Sequence, residues 1–419
     1  MEPAVYKFKM DRLLQLSLLL PSLLFADWPQ YLGPDRNGIA SDTTKIRLLS
    51  ETEDYSTLWK VKVGDGHSSP VVADGKAVLH HRIGENEILQ AFDSKTDKTL
   101  WKVEQHCSHS DSLDSNLGPK STPTIAGKKV YSFGVGGQLT CTELETGKIL
   151  WTHNAAEQFR SGKGFFGRCS SPIVHNNLVL LNLGGRQNAK GAGVAAFDAT
   201  TGKLVWQATD HEASYASPIL ANLHNKPTAV FFTREGLVGA TLANKTPNLL
   251  FDTYYRPTMH ASVNAASAVH CGDNQLFAST CYGVGAALWE VAPDGKLQQL
   301  WQKQDLLDCH FATPVFHKGH LYGIHGRQES GTQIRCIDPA KGKLLWTTRT
   351  MTHGLLLIAD NKLITLLESG ELLIAKATPK GYQELARRQI LGSGRSYPAI
   401  SNSTLYARDN RNLVAIKLD

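Results

Sequence analysis

The sequence predicts an all-β protein, an eight-bladed β-propeller of four-stranded antiparallel blades. One motif recurs along the chain, an acidic turn with Gly-Lys followed by a tryptophan, as in "AFDATTGKLVWQAT" at 196–209. Short β-branched or apolar runs, separated by Asp-Gly, Gly-Lys or Asn turns, lie between the copies and are typical of strands. After residue 26 no segment has the long 3.6-residue apolar period of an amphipathic helix.

The tryptophan of the motif marks the repeats. It stands at Trp59, Trp101, Trp151, Trp206, Trp301 and Trp346. Successive copies lie roughly 40 to 55 residues apart, a period typical of solenoids and propellers. The one longer gap contains a degenerate copy with Phe251, and a last copy has Ala386 at the same place. Because packing between neighbouring blades requires the same residue in each blade, we interpret the tryptophan as structural.

Each repeat is interpreted as four strands, called A to D in chain order. Strand A follows a Ser-Pro or related pair, strand C ends at the acidic turn, and strand D carries the tryptophan. Eight openings of strand A are found, at Pro70, Pro123, Pro172, Pro218, Ala268, Pro314, about Leu355 and Pro398. The sequence therefore predicts eight blades.

The two ends of the repeat region complement each other. The C-terminal repeat, 396–419, supplies strands A to C only, whereas the stretch around Trp59 is a strand D with no partners before it. We expect this N-terminal strand to complete the last blade, because closure removes the two exposed edges of an open array. The propeller then covers 57–419, preceded by an N-terminal extension at 27–56.

The first 26 residues differ from the rest in composition. Lys7, Lys9 and Arg12 precede an apolar run that ends before Ala26, the pattern of a secretory signal peptide. No cysteine follows the run, so a lipid anchor is not expected. The sequence predicts a signal peptide at 1–26, export to the periplasm or beyond, and no membrane span after cleavage.

The repeats resemble the PQQ-like repeat propellers, a family that includes BamB and the quinoprotein alcohol dehydrogenases. The resemblance rests on "D-x-x-T-G-K-x-x-W" and Ser-Pro-Val over 59–419. "DWPQYLGPDRNG" at 27, "GDGHSSPVV" at 64 and "MHASVNAAS" at 259 are similar to secreted bacterial members described only as PQQ-binding-like or BamB-like. The resemblance implies the propeller fold and leaves the function open, because one fold hosts unrelated activities.

One face of the predicted disc carries the long insertions, at 105–120, 155–169 and 184–193. Candidate ligand-binding residues enter this face just before strand A, at His67, Lys120, Arg168, Tyr215, Asn264, His310, His353 and Arg395. A second series follows strand B, at Arg82, Arg186, Arg234, Arg327 and Arg408. Together they predict a basic funnel, since guanidinium groups suit carboxylate or phosphate. The alternative is that each arginine pairs with a nearby acid and joins two blades.

The insertion "KGFFGR" offers two aromatic residues beside cations, a mixture favoured at interface anchors. Phe165 and Phe166 are therefore candidate partner-binding residues. The alternative is that both rings fold back over the blade.

The net charge and the cysteines limit the possible functions further. A formal net charge of +6 favours anions mildly and gives no nucleic-acid-binding stripe. The seven cysteines are interpreted as core or turn residues, with any disulfide pairing left open. His106, His109 and His310 are candidate metal ligands over the funnel, but with sixteen histidines scattered through the chain their proximity is expected by chance, and no metal site is predicted.

These observations predict an exported, monomeric propeller that binds a protein, a polysaccharide or a small anionic ligand without catalysis. The alternative is a PQQ-dependent alcohol dehydrogenase with calcium. In those enzymes the resemblance implies carboxylate and amide ligands to calcium, an aspartate base and often a disulfide between adjacent cysteines. Adjacent cysteines and a haem-attachment motif are absent from the sequence, and Asp111, Asp114, Asp305 and Asp308 match no base position.

Overall fold

The computed structural model describes residues 27–41, 43–50, 52–111, 113, 115–242 and 247–419. The predicted signal peptide and Asp114 lie outside these residues. The described residues form eight four-stranded antiparallel sheets arranged as the blades of a propeller, which confirms the predicted fold class.

The blades follow one another in chain order, each with its strands A to D side by side. Their bounds are Val71–Ala73, Lys76–Ile83, Asn86–Asp93 and Thr99–His106 in blade 1; Thr124–Ala126, Lys129–Phe133, Gln138–Glu143 and Ile149–Asn154 in blade 2; Ile173–His175, Leu178–Asn182, Val194–Asp198 and Leu204–Ala208 in blade 3; and Ile219–Leu223, Lys226–Phe232, Gly236–Thr241 and Asn248–Tyr254 in blade 4. The remaining blades are Val269–His270, Gln275–Thr280, Gly285–Val291 and Leu297–Lys303 in blade 5; Val315–His317, His320–His325, Gln333–Asp338 and Lys343–Thr347 in blade 6; Gly354–Ala359, Lys362–Leu367, Glu371–Lys376 and Glu384–Gln389 in blade 7; and Ala399–Ser401, Thr404–Arg408, Asn412–Lys417 and Thr57–Lys62 in blade 8.

The first strand closes the ring, as the sequence predicted. Thr57–Lys62 lies antiparallel beside Asn412–Lys417, with Trp59 opposite Ala415 and Lys62 opposite Asn412. It therefore takes the outer position of blade 8, and the two ends of the propeller hold each other through a ladder of backbone hydrogen bonds.

In five blades the recurring tryptophan donates a hydrogen bond to a backbone carbonyl of the next blade. The indole of Trp101, on the outer strand of blade 1, donates to the Leu144 carbonyl in blade 2 at 2.8 Å. Trp301 in blade 5 donates in the same way to the Pro339 carbonyl of blade 6 at 2.8 Å. Each acceptor lies in the turn between strands C and D, so the repeated motif supplies both the donor and the turn that receives it.

A ring of hydroxyl groups surrounds the central channel at the start of the A strands. The residue before the strand A opening is Ser or Thr in six blades, and in five of these its side-chain oxygen accepts from the backbone N–H at the same position of the preceding blade. The hydrogen bonds run from Ser69 to Thr122, Thr122 to Ser171, Ser171 to Ser217, Ser217 to Ser267, and Ser267 to Thr313, at 2.8 to 3.1 Å.

Blade 7 interrupts this ring, because Gly354 stands at the position and has no hydroxyl. Tyr397 of blade 8 replaces it. Its phenol oxygen reaches across blade 7 and accepts from the Thr313 N–H at 2.7 Å. The buried N–H of Thr313 is thereby satisfied, as a buried donor requires.

The N-terminal extension crosses the channel beneath this ring. Trp28 is 1% exposed and exchanges two backbone hydrogen bonds with Val72 of blade 1. The carbonyl of Pro29 accepts from Ile125 of blade 2, and Gly38 and Ala40 bond the backbone of Ile358 in blade 7. The extension thus bonds blades on both sides of the channel.

Short elements in the insertions complete the described fold. They are a helix at Ala155–Gln158, a 3-10 turn at Gln328–Ser330, and a hairpin of Arg186–Gln187 with Lys190–Gly191. Asn154 caps the helix by accepting from the Glu157 N–H at 3.2 Å. No described helix is long and apolar enough to cross a membrane.

Candidate functional site

A cavity of about 520 Å³ opens at the mouth of the central channel, on the face that carries the insertions. We call it the channel-mouth cavity. Its wall comes from the connections that enter the A strands and from the B-to-C turns of blades 5 and 6. The volume lies within the range of roughly 300–1,000 Å³ found for small-molecule sites.

The floor of the cavity contains two tyrosines from distant parts of the chain. Tyr31 belongs to the N-terminal extension and Tyr397 to blade 8, and their rings meet edge to face at 5.5 Å. The Tyr31 hydroxyl lies 3.2 Å from Thr313 Oγ1, next to the hydrogen bond that Tyr397 makes. The extension therefore forms part of the site as well as part of the scaffold.

One wall is aromatic and is built by the insertion at 155–169. The backbone N–H groups of Phe165 and Phe166 both donate to the Tyr215 hydroxyl, at 2.6 and 3.1 Å. The Phe166 ring packs against the Tyr215 ring at 5.7 Å, and the Arg234 guanidinium lies over Phe165 at 5.4 Å. Tyr215 thus fixes the tip of the insertion at the edge of the cavity.

The wall from blades 5 and 6 contains a chain of side-chain hydrogen bonds. His310 Nδ1 lies 2.7 Å from Gln328 Oε1, and His310 Nε2 lies 2.8 Å from the Tyr282 hydroxyl. The amide oxygen of Gln328 can only accept, so Nδ1 carries the proton and Nε2 accepts from the Tyr282 O–H. Burial lowers the pKa of His310, which keeps the ring neutral at neutral pH.

Tyr282 is held in an uncommon backbone conformation, with φ at 64°. Such a conformation costs energy for a bulky residue and is found disproportionately at functional sites. The Arg327 guanidinium lies 4.7 Å from the centre of the Tyr282 ring, a cation–π arrangement that orients both groups towards the cavity.

Three cations reach the cavity wall, at Lys120, Arg327 and Arg395. Arg327 pairs with Glu329 at 3.2 Å, and Arg395 pairs with Glu368. Glu329 is the one carboxylate on the described wall, so cations outnumber acids there.

A further cation lies buried beneath the cavity. Arg36 of the extension is 3% exposed and donates to the carbonyls of Ser171, Pro172 and Pro218. Among the described residues no carboxylate pairs with it, and burial lowers its pKa to about 9. An uncompensated charge in a low-dielectric interior adds to the positive potential above it.

The structure brings eight of the candidate residues to the cavity wall. They are His67, Lys120, Phe165, Phe166, Tyr215, His310, Arg327 and Arg395. The other seven candidates lie outside the wall, at Arg82, Arg168, Arg186, Arg234, Asn264, His353 and Arg408.

Residues of the second group mostly support loops. Arg82 donates to the carbonyls of Cys107, His109 and Leu117, and so holds the insertion at 105–120. Asn264 donates to the carbonyls of Thr233 and Tyr255, which joins blades 4 and 5.

The remaining members of that group have other neighbours. Arg186 pairs with Asp210 at 3.2 Å, and Arg234 pairs with Glu212 at 2.8 Å. Arg168 donates to the carbonyls of Gly136 and Ser161, and Arg408 donates to the carbonyl of Gly64. His353 stacks behind Phe311 at 4.0 Å.

Sequence reasoning missed Tyr31, Tyr282, Phe311 and Tyr397 as cavity residues. One signal was present for Tyr397, which occupies the position taken by Ser or Thr in the other "SP" and "TP" pairs. No comparable signal marks Tyr31 or Tyr282, because nothing in their local sequence shows that they face the axis.

The donor set of the cavity does not fit the calcium ion that the resemblance implies for the dehydrogenases. Within the described ranges, no group of three or more His, Cys, Asp or Glu side chains is placed to hold a metal ion. Calcium takes six to eight oxygen ligands, whereas Glu329 already pairs with Arg327. Asp111, Asp305 and Asp308 do not line the cavity. The described cysteines form no disulfide with one another, and Cys169 lies on the wall.

Comparisons with known proteins agree with this architecture. The family model described as outer membrane protein assembly factor BamB matches residues 36–222 and 84–348. A quinohemoprotein alcohol dehydrogenase of Pseudomonas putida is 25% identical over 147 residues, covering 33% of this chain and 19% of that protein. An outer membrane protein assembly factor BamB of Moranella endobia is 27% identical over 173 residues, covering 40% of each chain.

The crystal structure of BamB from Moraxella catarrhalis has a TM-score of 0.62 at 13% identity, covering 87% of this chain and 100% of that chain. Likeness at this identity shows the fold alone. The sequence matches span less than half of the length of either curated relative. The resemblance to the PQQ-like repeat propellers is confirmed.

Proposed function

The chain belongs to the family of the outer membrane protein assembly factor BamB, and we propose that it is an exported, non-catalytic propeller that binds an anionic ligand or partner segment in the channel-mouth cavity. One observation carries the proposal. The cavity is preformed, combines aromatic side chains with three cations, and lies at the face that carries the long insertions.

Rigidity of the site supports a binding role. Each wall is fixed from behind, Phe165 and Phe166 by the Tyr215 hydroxyl and Tyr282 by His310. A site whose side chains are ordered before binding loses little conformational entropy when the ligand enters. The closed ring of blades holds these side chains in one arrangement.

The electrostatic balance supports an anion as the ligand. Lys120, Arg327 and Arg395 reach the wall, where Glu329 pairs with Arg327 and Glu368 pairs with Arg395, and Arg36 lies buried below with no carboxylate partner among the described residues. Arginine presents a planar fork of donors that matches carboxylate, sulfate and phosphate.

A titration of the mature chain tests the proposal. Anionic peptides, anionic saccharides and PQQ with and without calcium are titrated calorimetrically, and dye-linked alcohol oxidation is measured under the same conditions. We expect saturable binding of at least one anionic probe and no turnover. Turnover with PQQ and calcium would overturn the non-catalytic role.

Variants connect binding to the cavity. Arg395→Gln removes a cation from the wall, whereas Arg349→Gln makes the same change at an exposed position outside it. We expect the first to weaken binding about ten- to hundredfold, because a charge-assisted hydrogen bond contributes roughly 1.5–3 kcal/mol, and the second to leave it unchanged. Equal effects of the two variants would place the ligand elsewhere on the molecule.

Export is tested separately. We expect the protein from a cell expressing the full chain to be recovered in the periplasmic or secreted fraction, with a mature N-terminus near Asp27. An intact N-terminus in the cytoplasmic fraction would contradict export.

A further inference from the structure

We infer that the ligand of the channel-mouth cavity is an acidic carbohydrate, a sugar ring or short oligosaccharide that bears a carboxylate or sulfate group. The inference rests on the proposed function, since it presumes that the cavity binds a ligand. Three features of the wall carry it: a fixed hydrogen-bond acceptor, an excess of cations and two aromatic surfaces.

The acceptor is the phenol oxygen of Tyr282. Gln328 fixes the proton of His310 on Nδ1, so His310 Nε2 accepts the Tyr282 hydrogen at 2.8 Å. The hydroxyl is therefore already engaged as a donor, and the lone pairs of its oxygen are what Tyr282 offers to a ligand. A ligand that uses this position must supply a donor, as a sugar hydroxyl does.

The cations favour a negative charge on the same ligand. Lys120 comes from the loop before blade 2, Arg327 from blade 6 and Arg395 from the loop before blade 8. They are distributed around the rim. A bound sugar ring can therefore take several orientations and still place its anionic substituent near at least one of them. A carboxylate or sulfate accepts two parallel hydrogen bonds from a guanidinium.

The aromatic surfaces favour a ligand with a flat, partly apolar ring. Phe165 and Phe166 line the cavity on the side of blade 3, and Tyr282 and Phe311 line it on the side of blades 5 and 6. Aromatic faces pack well against a flat ring that carries apolar C–H groups, and they add contact area at low entropy cost. A pyranose ring combines such a face with hydroxyl groups at its edge.

Other anions match fewer of these features. A quinone tricarboxylate presents mainly acceptors, which leaves the Tyr282 oxygen without a donor. An acidic peptide supplies backbone donors and carboxylates but no flat C–H face in a ring. A sugar acid supplies a donor, an anion and an apolar face within one ring, and this is the combination that the wall presents.

Calorimetric titration with trigalacturonic acid tests the inference. The matched probes are the fully methyl-esterified trisaccharide, which lacks the charge, a hexapeptide of glutamate and PQQ. We expect the acidic trisaccharide to bind at least tenfold more tightly than each of the other three probes, because it alone combines charge with hydroxyl donors.

Variants test the roles of individual side chains. Tyr282→Phe removes the acceptor and keeps the ring, so we expect affinity for the trisaccharide to fall about five- to tenfold. Phe166→Ala removes stacking surface, and we expect a similar loss. Arg349→Gln serves as the exposed control with no change. Thermal unfolding of each variant is measured so that a folding defect is recognised.

The outcomes separate the inference from the proposed function. Binding of the glutamate peptide or PQQ without the saccharide, sensitive to Arg395→Gln, would overturn the carbohydrate and leave the proposed function standing. Equal binding of the charged and esterified trisaccharides would overturn the anionic requirement, and an unchanged affinity in folded Tyr282→Phe would overturn the role of the fixed acceptor. Failure of all four probes to bind would contradict both proposals.

Discussion

Truncation of one hydroxyl in the ring around the channel offers a sharp test of how the blades are joined. Ser171 Oγ accepts from the Thr122 N–H at 2.8 Å, and Ser171 is 1% exposed. Ser171→Ala removes this acceptor and leaves a buried backbone donor unpaired. A buried donor without a partner costs about 1–3 kcal/mol, so we expect the free energy of unfolding to fall by that amount.

The preceding residue is a matched control. Ser170 is also 1% exposed, but its hydroxyl has no hydrogen-bond partner among the described residues. Ser170→Ala therefore deletes a buried hydroxyl that bonds nothing, and we expect a change within about 0.5 kcal/mol, or a small gain in stability.

Urea titration followed by tryptophan fluorescence measures both variants beside the unaltered chain. We expect the unfolding midpoint to fall for Ser171→Ala and to stay in place for Ser170→Ala, with the same slope in both. Equal midpoints for the two variants, or a larger loss for Ser170→Ala, would refute the reasoning that the hydroxyl ring joins the blades.

Three further predictions concern buried charge and the cavity rim. Arg36→Met removes the guanidinium that bonds three backbone carbonyls beneath the cavity. We expect the free energy of unfolding, measured by urea titration, to fall by about 2–5 kcal/mol. A fall below about 1 kcal/mol would show that the desolvation cost of the charge cancels its hydrogen bonds. Burial raises the pKa of Glu87 to about 7, so the folded state binds a proton more tightly than the unfolded state, and stability falls by roughly 3 kcal/mol as pH rises from about 4.5 to 7. Glu87→Gln keeps the acceptor for the Val135 N–H, so we expect it to abolish this fall in urea titrations across that pH range; a stability difference between variant and unaltered chain that does not change with pH would contradict the reasoning. Phe165→Ala with Phe166→Ala removes two half-buried rim side chains, and we expect weaker ligand binding with a melting temperature changed by only a few degrees; a loss of several kcal/mol would show that the rings belong to the core.

The sequence by itself determined the blades. A motif that returns every 40 to 55 residues encodes contacts within a blade and between neighbours, and both are visible as a period along the chain. Trp101 and Trp301 occupy the same place in their blades, and the strand at Trp59 completes blade 8 because only that blade lacked a strand D. The face that carries the insertions was likewise predicted from the lengths of the loops.

Only the tertiary structure decided what meets at the axis. Tyr31 and Tyr397 touch across the channel although 366 residues separate them along the chain, and Tyr397 reaches Thr313 because Gly354 leaves the ring of hydroxyls open. The chain Tyr282, His310 and Gln328 likewise joins two blades through side chains that carry no repeated signal.

The physical reason is the geometry of a closed ring. A repeat specifies the packing of one blade against the next, and the remaining contacts depend on where the eighth blade returns to the first. Side chains near the axis lie close to several blades at once. Their partners are therefore set by the closure of the ring and by the extension that crosses the channel. Period and composition describe neighbours along the chain, whereas the cavity is formed by residues that closure alone makes neighbours.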